Sequence, residues 1–141
     1  MAKPAAPFPW SAVLERLRQA DPALAVLDGR QLLAGGGLTA AGQALEQLLQ
    51  AGAAVAQAAV DVGLVADELR RYQKFAPPGR PSLQIVQLRR QQATVQQAQR
   101  VARQVHIRCA DQFAREIALE VPARLGVVET VERWLRAQLP G

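Results

Sequence analysis

A run of cationic side chains without any counter-charge is the most distinctive chemical feature of the 141-residue chain. Between Leu69 and Ala110 there is no Asp or Glu, whereas residues 1–68 and 111–141 each carry a small excess of acidic groups. A block of one sign attracts polyanions, because binding releases the counterions condensed on them. The run therefore predicts a nucleic-acid partner. Its nine cations are Arg70, Arg71, Lys74, Arg80, Arg89, Arg90, Arg100, Arg103 and Arg108.

Other reactive side chains are too few for a catalytic or metal-binding constellation. The single histidine, His106, and the single cysteine, Cys109, are three residues apart, so on a helix they share one side. Two ligands do not complete a zinc site. The glycines at 35–37 lack the Lys and the Ser or Thr of a nucleotide-binding loop. We expect no enzymatic activity, no metal and no cofactor.

Length and composition predict one mainly α-helical domain. Good helix formers dominate, and only six residues are aromatic. A single cysteine excludes an internal disulfide and is typical of a reducing cytoplasm. The first ten residues lack the pattern of a secretory signal, and no apolar stretch approaches the roughly 20 residues that span a bilayer. We expect a cytoplasmic protein without membrane contact.

Residues 1–38 are predicted to form an N-terminal helical segment followed by a glycine hinge. A helix over about 12–20 begins after Ser11, whose hydroxyl suits a helix N-cap. For residues 23–34, Asp28-Gly29 between two apolar runs favours a β-hairpin, and a short helix followed by a turn is an equal alternative. The glycines at 35–37 then break the chain.

Three short helices are predicted over residues 39–75, at about 40–51, 53–62 and 65–75, with Thr39 as the first cap and breaks at Gly52 and Gly63. Within residues 55–74, Ala59 supplies the small side chain that two crossing helices need, and Gly63 supplies the turn. The flanking buried positions are apolar. This pattern resembles the helix-turn-helix DNA-binding superfamily, in the three-helix form shared by recombinases, transposases and many small repressors.

The resemblance implies that residues 65–75 form a recognition helix in the major groove. Arginine pairs with both acceptors of guanine, whereas Lys74 and one arginine are suited to phosphate. Asp67 departs from the family pattern, since a carboxylate repels phosphate. A helical hairpin that arises from packing alone is the alternative. The implied DNA-facing residues are Val65, Ala66, Asp67, Arg70, Arg71 and Lys74.

Residues 76–81 are predicted to form a stiff, Pro-rich basic linker. Within it Pro78-Gly79-Arg80-Pro81 resembles the core of an AT-hook, which would place Arg80 in a minor groove, and the two interpretations can both hold. Residues 82–121 contain no Pro or Gly and predict one long helix. Its narrow apolar stripe favours a seam with a helix of a second copy, and a short C-terminal helix follows Gly126. The long helix is expected to hold phosphate through Arg89, Arg90, Arg100 and Arg103.

These features predict a mainly α fold, in which a helix-turn-helix unit is followed by a long helix and a short C-terminal helix, with a small β-hairpin near residues 23–34 as one option. The expected function is a non-enzymatic protein that binds double-stranded DNA. It would be a small transcriptional or plasmid or phage regulator acting as a homodimer. The alternative is a helical scaffold or adaptor whose basic helix docks an acidic protein or RNA.

Overall fold

Two long antiparallel helices organise the computed structural model, which describes residues 8–75, 79 and 82–139. The longer helices have 36 and 34 residues, so each is about 50 Å long at ~1.5 Å per residue. The mainly α prediction is confirmed. The elements are α1 (Ser11–Arg18), a 3-10 turn (Pro22–Leu24), β1 (Val26–Leu27), β2 (Arg30–Gln31), β3 (Leu33–Ala34), β4 (Gly37–Leu38), α2 (Ala40–Phe75), α3 (Leu83–Glu116) and α4 (Val127–Gln138).

The base of the molecule forms where α1, the strands and α4 gather around the start of α2 and the end of α3. Phe113 is fully buried there, and its ring meets Trp134 edge to face with centroids 5.4 Å apart. The Arg30 guanidinium donates to the Ile117 carbonyl at 2.6 and 3.0 Å, and the Trp134 indole donates to the Asp28 carboxylate at 3.2 Å. These bonds fix the strands against α3 and α4.

Two small β-hairpins connect α1 to α2. The β1–β2 hairpin turns at Asp28 and Gly29, which both have positive φ, so the hairpin option was right and the short helix was wrong. The β3–β4 hairpin turns at Gly35 and Gly36, again both with positive φ. The predicted hinge is therefore a second tight turn, because consecutive left-handed residues suit such a hairpin.

The predicted helix breaks at Gly52 and Gly63 are wrong, because α2 is one unbroken helix capped by Thr39, whose Oγ1 accepts from the Gly42 N–H at 3.1 Å. The separate helices of the three-helix arrangement are therefore not present. A glycine inside a helix costs only about 1 kcal/mol, which packing along α3 offsets. Gly52 serves a close approach instead, since a Cβ there would lie 2.8 Å from the Phe8 ring.

Along their length α2 and α3 pack through side chains spaced alternately three and four residues apart, as in a coiled coil. The packing continues beyond the base, so residues 53–75 and 83–105 form a two-helix arm. Most of the apolar stripe that was expected to pair with a second copy packs against α2 of the same chain. The homodimer stays a prediction. The seam residues are Leu48, Ala51, Val55, Ala58, Val62, Val65 and Leu69 of α2 and Ile85, Leu88, Gln92, Val95, Gln99, Ala102, His106, Cys109 and Phe113 of α3.

The ends of the two C-terminal helices agree only in part with the predicted ones. α3 ends at Glu116 rather than near residue 121, since Ala118 adopts a left-handed conformation with φ 52°. α4 begins directly after Gly126, as predicted, and buries Val131 and Leu135 in the base.

One property of α2 differs from the sequence expectation about membranes. The helix contains an 18-residue window of mean hydropathy 1.5, of which 33 % is buried in the fold. By length and composition alone it is apolar enough to cross a membrane, so the expectation that no apolar stretch approaches this length is wrong. The core helix of a globular protein passes the same test.

Candidate nucleic-acid interface

The free end of the arm collects basic residues from two parts of the chain. Because α2 and α3 are antiparallel, the last turns of α2 lie beside the first turns of α3. This cationic tip consists of the exposed side chains of Arg70, Arg71, Lys74, Arg89 and Arg90. Arg80 lies outside the described residues, as does the rest of the AT-hook-like stretch except Gly79.

One side of the arm carries cations and no acidic residue on α3. Arg89, Gln96 and Arg103 are seven residues apart, so they lie in one row beside the seam. Arg100 is one turn from Arg103 on the same side. The side chains of all four residues are exposed. From Arg89 to Arg103 the row extends about 21 Å at ~1.5 Å per residue.

The facing row on α2 consists of small residues. Ala59 and Ala66 stand at the α2 positions equivalent to the Arg89 row, and equal positions face one another in an antiparallel pair. Because these side chains are short, they do not cover the guanidinium groups of α3, which are accessible from that side. We call the whole surface the basic flank; it comprises Ala59, Ala66 and Arg70 of α2 with Arg89, Gln96, Arg100 and Arg103 of α3.

Most cations of the arm lack a carboxylate partner in the described part of the chain. Among the predicted DNA-facing cations there, only Arg70 forms an ion pair, with Asp67. Arg100 donates two hydrogen bonds to Gln97 Oε1, at 2.7 and 3.0 Å, and an amide does not neutralise its charge. These guanidinium groups therefore remain available to phosphate, with which arginine forms strong bidentate hydrogen bonds.

The predicted recognition helix is not a free element. Val65 is only 6 % exposed and lies in the seam, so the outward position predicted for it is wrong. Ala66 is half-buried, the Asp67 carboxylate is paired with Arg70, and Arg70, Arg71 and Lys74 of the implied set are exposed. Two packed helices measure about 20 Å across, which exceeds the ~12 Å width of the major groove. Residues 65–75 therefore do not enter a groove alone in this fold.

The other side of the arm has a different character. Leu64, Val101 and Val105 are exposed there, and Asp61 and Glu68 lie seven residues apart on the same side of α2. These carboxylates repel a polyanion, but Arg71 and Arg108 stand seven residues after Leu64 and Val101 and therefore lie on this side as well. The basic flank is the side of the arm on which no carboxylate interrupts the row of cations on α3.

A cleft of about 440 Å³ opens where the basic flank meets the base. It lies between α2, α3, α4 and the segment before α1, and apolar and aromatic side chains form most of its lining. Glu132 and Arg136 of α4 stand at its edge as an ion pair, with 3.2 Å between Oε2 and Nη2. Its volume falls in the range of small-molecule sites, roughly 300–1,000 Å³.

His106 brings a titratable group to this cleft. Burial lowers the pKa of the imidazole below its ordinary value, and the nearby Glu132 carboxylate opposes that shift only in part. The neutral ring has one donor and one acceptor nitrogen. Within residues 8–75, 79 and 82–139, neither ring nitrogen has a hydrogen-bond partner, and neither has the Trp10 indole N–H. The cleft therefore contains polar groups that are free to bind a ligand.

Sequence reasoning considered His106 only as half of a metal pair with Cys109 and did not find the cleft. In the described part of the chain, no group of three or more His, Cys, Asp or Glu side chains could hold a metal ion. The seven-residue spacing of Gln92, Gln99 and His106 was the available signal, since it places all three in one row of the seam. Nothing in the spacing brings Trp10 to them.

No protein-family model, curated protein or solved structure matches this chain. The resemblance of residues 39–75 to helix-turn-helix proteins therefore gains no support from relatives.

Proposed function

We propose that this protein binds double-stranded DNA through its arm and is not an enzyme. The observation that carries the proposal is the continuity of the basic flank with the cationic tip, on a surface whose cations are mostly not neutralised by carboxylates. In this arrangement Arg89, Arg100 and Arg103 hold phosphates along one strand. The tip then contacts the same duplex through Arg70, Lys74 and Arg90.

The dimensions of the basic flank suit a DNA backbone. Its length of about 21 Å follows roughly six base-pair steps of a duplex that rises ~3.4 Å per step. Ala59 and Ala66 let the phosphates approach the arm closely. Several phosphate contacts of this kind release counterions, so the affinity falls steeply as salt is added.

This mode of binding reads the backbone rather than the base edges. Because α2 is packed against α3 through Val65 and Leu69, it presents no free helix to the major groove. Phosphate contacts position a protein without reading sequence, so we expect weak discrimination between duplexes. Within this proposal the protein acts as a small cytoplasmic regulator of transcription, or of a plasmid or phage, whose selectivity depends on DNA shape or on a partner.

The proposal is tested by fluorescence anisotropy with a duplex of about 30 base pairs at roughly 50 mM salt. We expect binding at micromolar concentration or tighter, and at least tenfold weaker binding by R70E/R71E and by R89E/R103E. The matched control is R18E/R124E, which makes the same charge change at two exposed cations of the base. No binding by the parent protein, or an equal loss in the control, contradicts the proposal.

A second candidate is a helical adaptor that docks an acidic protein. The observation in its favour is the apolar surface at the tip, where Phe75 is 81 % and Leu83 is 73 % exposed. Exposed aromatic side chains beside cations are typical anchors of protein interfaces. Under this alternative R70E/R71E leaves duplex binding almost unchanged. Replacing Arg100 and Arg103 on the basic helix then weakens binding of the partner more than R70E/R71E does.

A further inference from the structure

We propose that the cleft at the foot of the arm binds one unpaired nucleobase, while the strand that carries the base lies along the basic flank. The inference rests on the proposed DNA binding and adds a preference to it. DNA with a single-stranded end or an unpaired base should be bound more tightly than a blunt duplex.

The walls of the cleft suit a flat aromatic ligand. Phe8 and Trp10 contribute aromatic rings, and Val55 and Ala56 contribute apolar surface from α2. Every nucleobase has a π face that stacks on such rings with little dependence on sequence. Gly52 lets the Phe8 ring pack directly against α2, because a Cβ there would lie 2.8 Å from that ring, and this contact holds the aromatic wall in place.

The polar groups of the cleft match the edge of a base. The neutral imidazole of His106 offers one donor and one acceptor. A base edge presents both donors and acceptors. The Glu132–Arg136 pair carries no net charge, so the cleft itself suits an uncharged ring rather than a phosphate.

The cleft and the basic flank are continuous on one side of the molecule. Gly52 lines the cleft and stands in the same α2 row as Ala59 and Ala66 of the flank. On α3, Arg103 is three residues from His106, which is about 5 Å along the helix at ~1.5 Å per residue. A base in the cleft therefore has a cation within reach of its phosphate.

The test compares a blunt duplex of about 30 base pairs with the same duplex carrying a single-stranded overhang of about four nucleotides, both by anisotropy. Stacking of one base on aromatic side chains should tighten binding of the overhang duplex by roughly tenfold or more. Tryptophan emission should be quenched by the overhang duplex in the parent protein, with a smaller change in Trp10→Phe.

Two leucine substitutions on one helix provide the matched comparison. Ala56→Leu narrows the cleft, whereas Ala54→Leu adds the same side chain at an exposed position away from the lining. We expect A56L to lose the advantage of the overhang and to bind the blunt duplex like the parent protein, and A54L to keep the advantage. Circular dichroism verifies that both variants remain helical.

The possible failures are distinguishable. If the parent protein binds both DNAs equally, or if A56L keeps the full advantage of the overhang, the base-binding cleft is wrong and DNA binding by the arm stands. If the parent protein binds neither DNA at roughly 50 mM salt, the proposed function is wrong and this inference is wrong with it.

Discussion

The base and the arm share the same two helices but differ in how their charges are paired. Of the six ion pairs among the described residues, five lie in the base and one, Arg70–Asp67, lies in the arm. Exposed ion pairs contribute only about 0–1 kcal/mol each, so stability does not explain the difference. What differs is the field outside the molecule, which is locally cancelled at the base and positive along the arm.

The two regions also differ in packing. The base buries large side chains on several sides, with Phe113 and Leu45 inaccessible to solvent. The arm has only one seam, and its polar Gln92 and Gln99 are half-buried between apolar neighbours. The base therefore carries most of the stability, while the arm gives up compact burial for an extended charged surface. The apolar cluster near the tip consists of Leu69, Ile85 and Leu88.

The largest expected effect on stability is that of replacing a buried phenylalanine of the base. The same replacement at an exposed phenylalanine of the arm is the comparison. Phe113→Ala empties the centre of the base and should lower the free energy of unfolding by about 3–5 kcal/mol. Phe75→Ala, at an exposed position of the arm, should change it by no more than about 0.5 kcal/mol. Urea denaturation followed by circular dichroism measures both. Equal losses would show that the base does not dominate stability.

Loss of packing at the tip should act locally. Ile85→Ala removes a buried side chain of the arm and should cost about 2 kcal/mol. Amide exchange should accelerate at the end of α2 and the start of α3 and stay unchanged around Phe113. Leu83→Ala, two residues away and exposed, is the control and should alter neither. Faster exchange throughout the base would mean that arm and base unfold as one unit.

Two glycines of α2 provide a smaller and opposite pair of effects. Gly63→Ala should stabilise the protein by about 0.5–1 kcal/mol, because Gly63 lies inside a helix and a Cβ there meets nothing within 4 Å. Gly52→Ala should destabilise it, since the new Cβ collides with the Phe8 ring at the base. Thermal unfolding compares the two variants. Destabilisation by Gly63→Ala would instead support a turn at that residue.

The free energy of unfolding should depend on pH through His106, which lines the cleft where the arm meets the base. Its folded pKa is lowered, so the unfolded state binds more protons below about pH 6.5, and stability should fall as the pH drops through that value. Glu132 faces the ring from α4 and weakens the effect, and Arg136 stands beside it. His106→Gln should make unfolding between about pH 7.5 and 5.5 less dependent on pH. An unchanged dependence would show that His106 titrates normally.

Local patterns in the sequence predicted those parts of the fold that depend on neighbouring residues. The Asp28-Gly29 turn, the Thr39 cap and the start of α4 after Gly126 each follow from backbone geometry at one or two residues. The breaks predicted at Gly52 and Gly63 were wrong, because a glycine ends a helix only when packing does not offset its low helix propensity. That packing comes from α3, which is far away in the sequence.

The candidate site was predictable to the extent that it depends on charge. The acid-free run predicted a phosphate-holding role for Arg89, Arg90, Arg100 and Arg103, whereas the row that joins Arg89 to Arg103 beside the seam follows from the packing of α3 on α2. The burial of Val65 was not predictable without the antiparallel partner helix. The cleft was even less predictable from the sequence, because its lining comes from four separate segments that meet only in the folded chain.

The most direct test of the account is the dependence of duplex affinity on salt. Each phosphate contact contributes about 0.9 to the slope of log affinity against log salt concentration, so R89Q/R103Q should reduce the slope by roughly 2 relative to the parent protein. The base variant R18Q/R124Q removes the same charge and should keep the parental slope. Equal slopes in the parent protein and R89Q/R103Q would contradict phosphate binding by the basic flank.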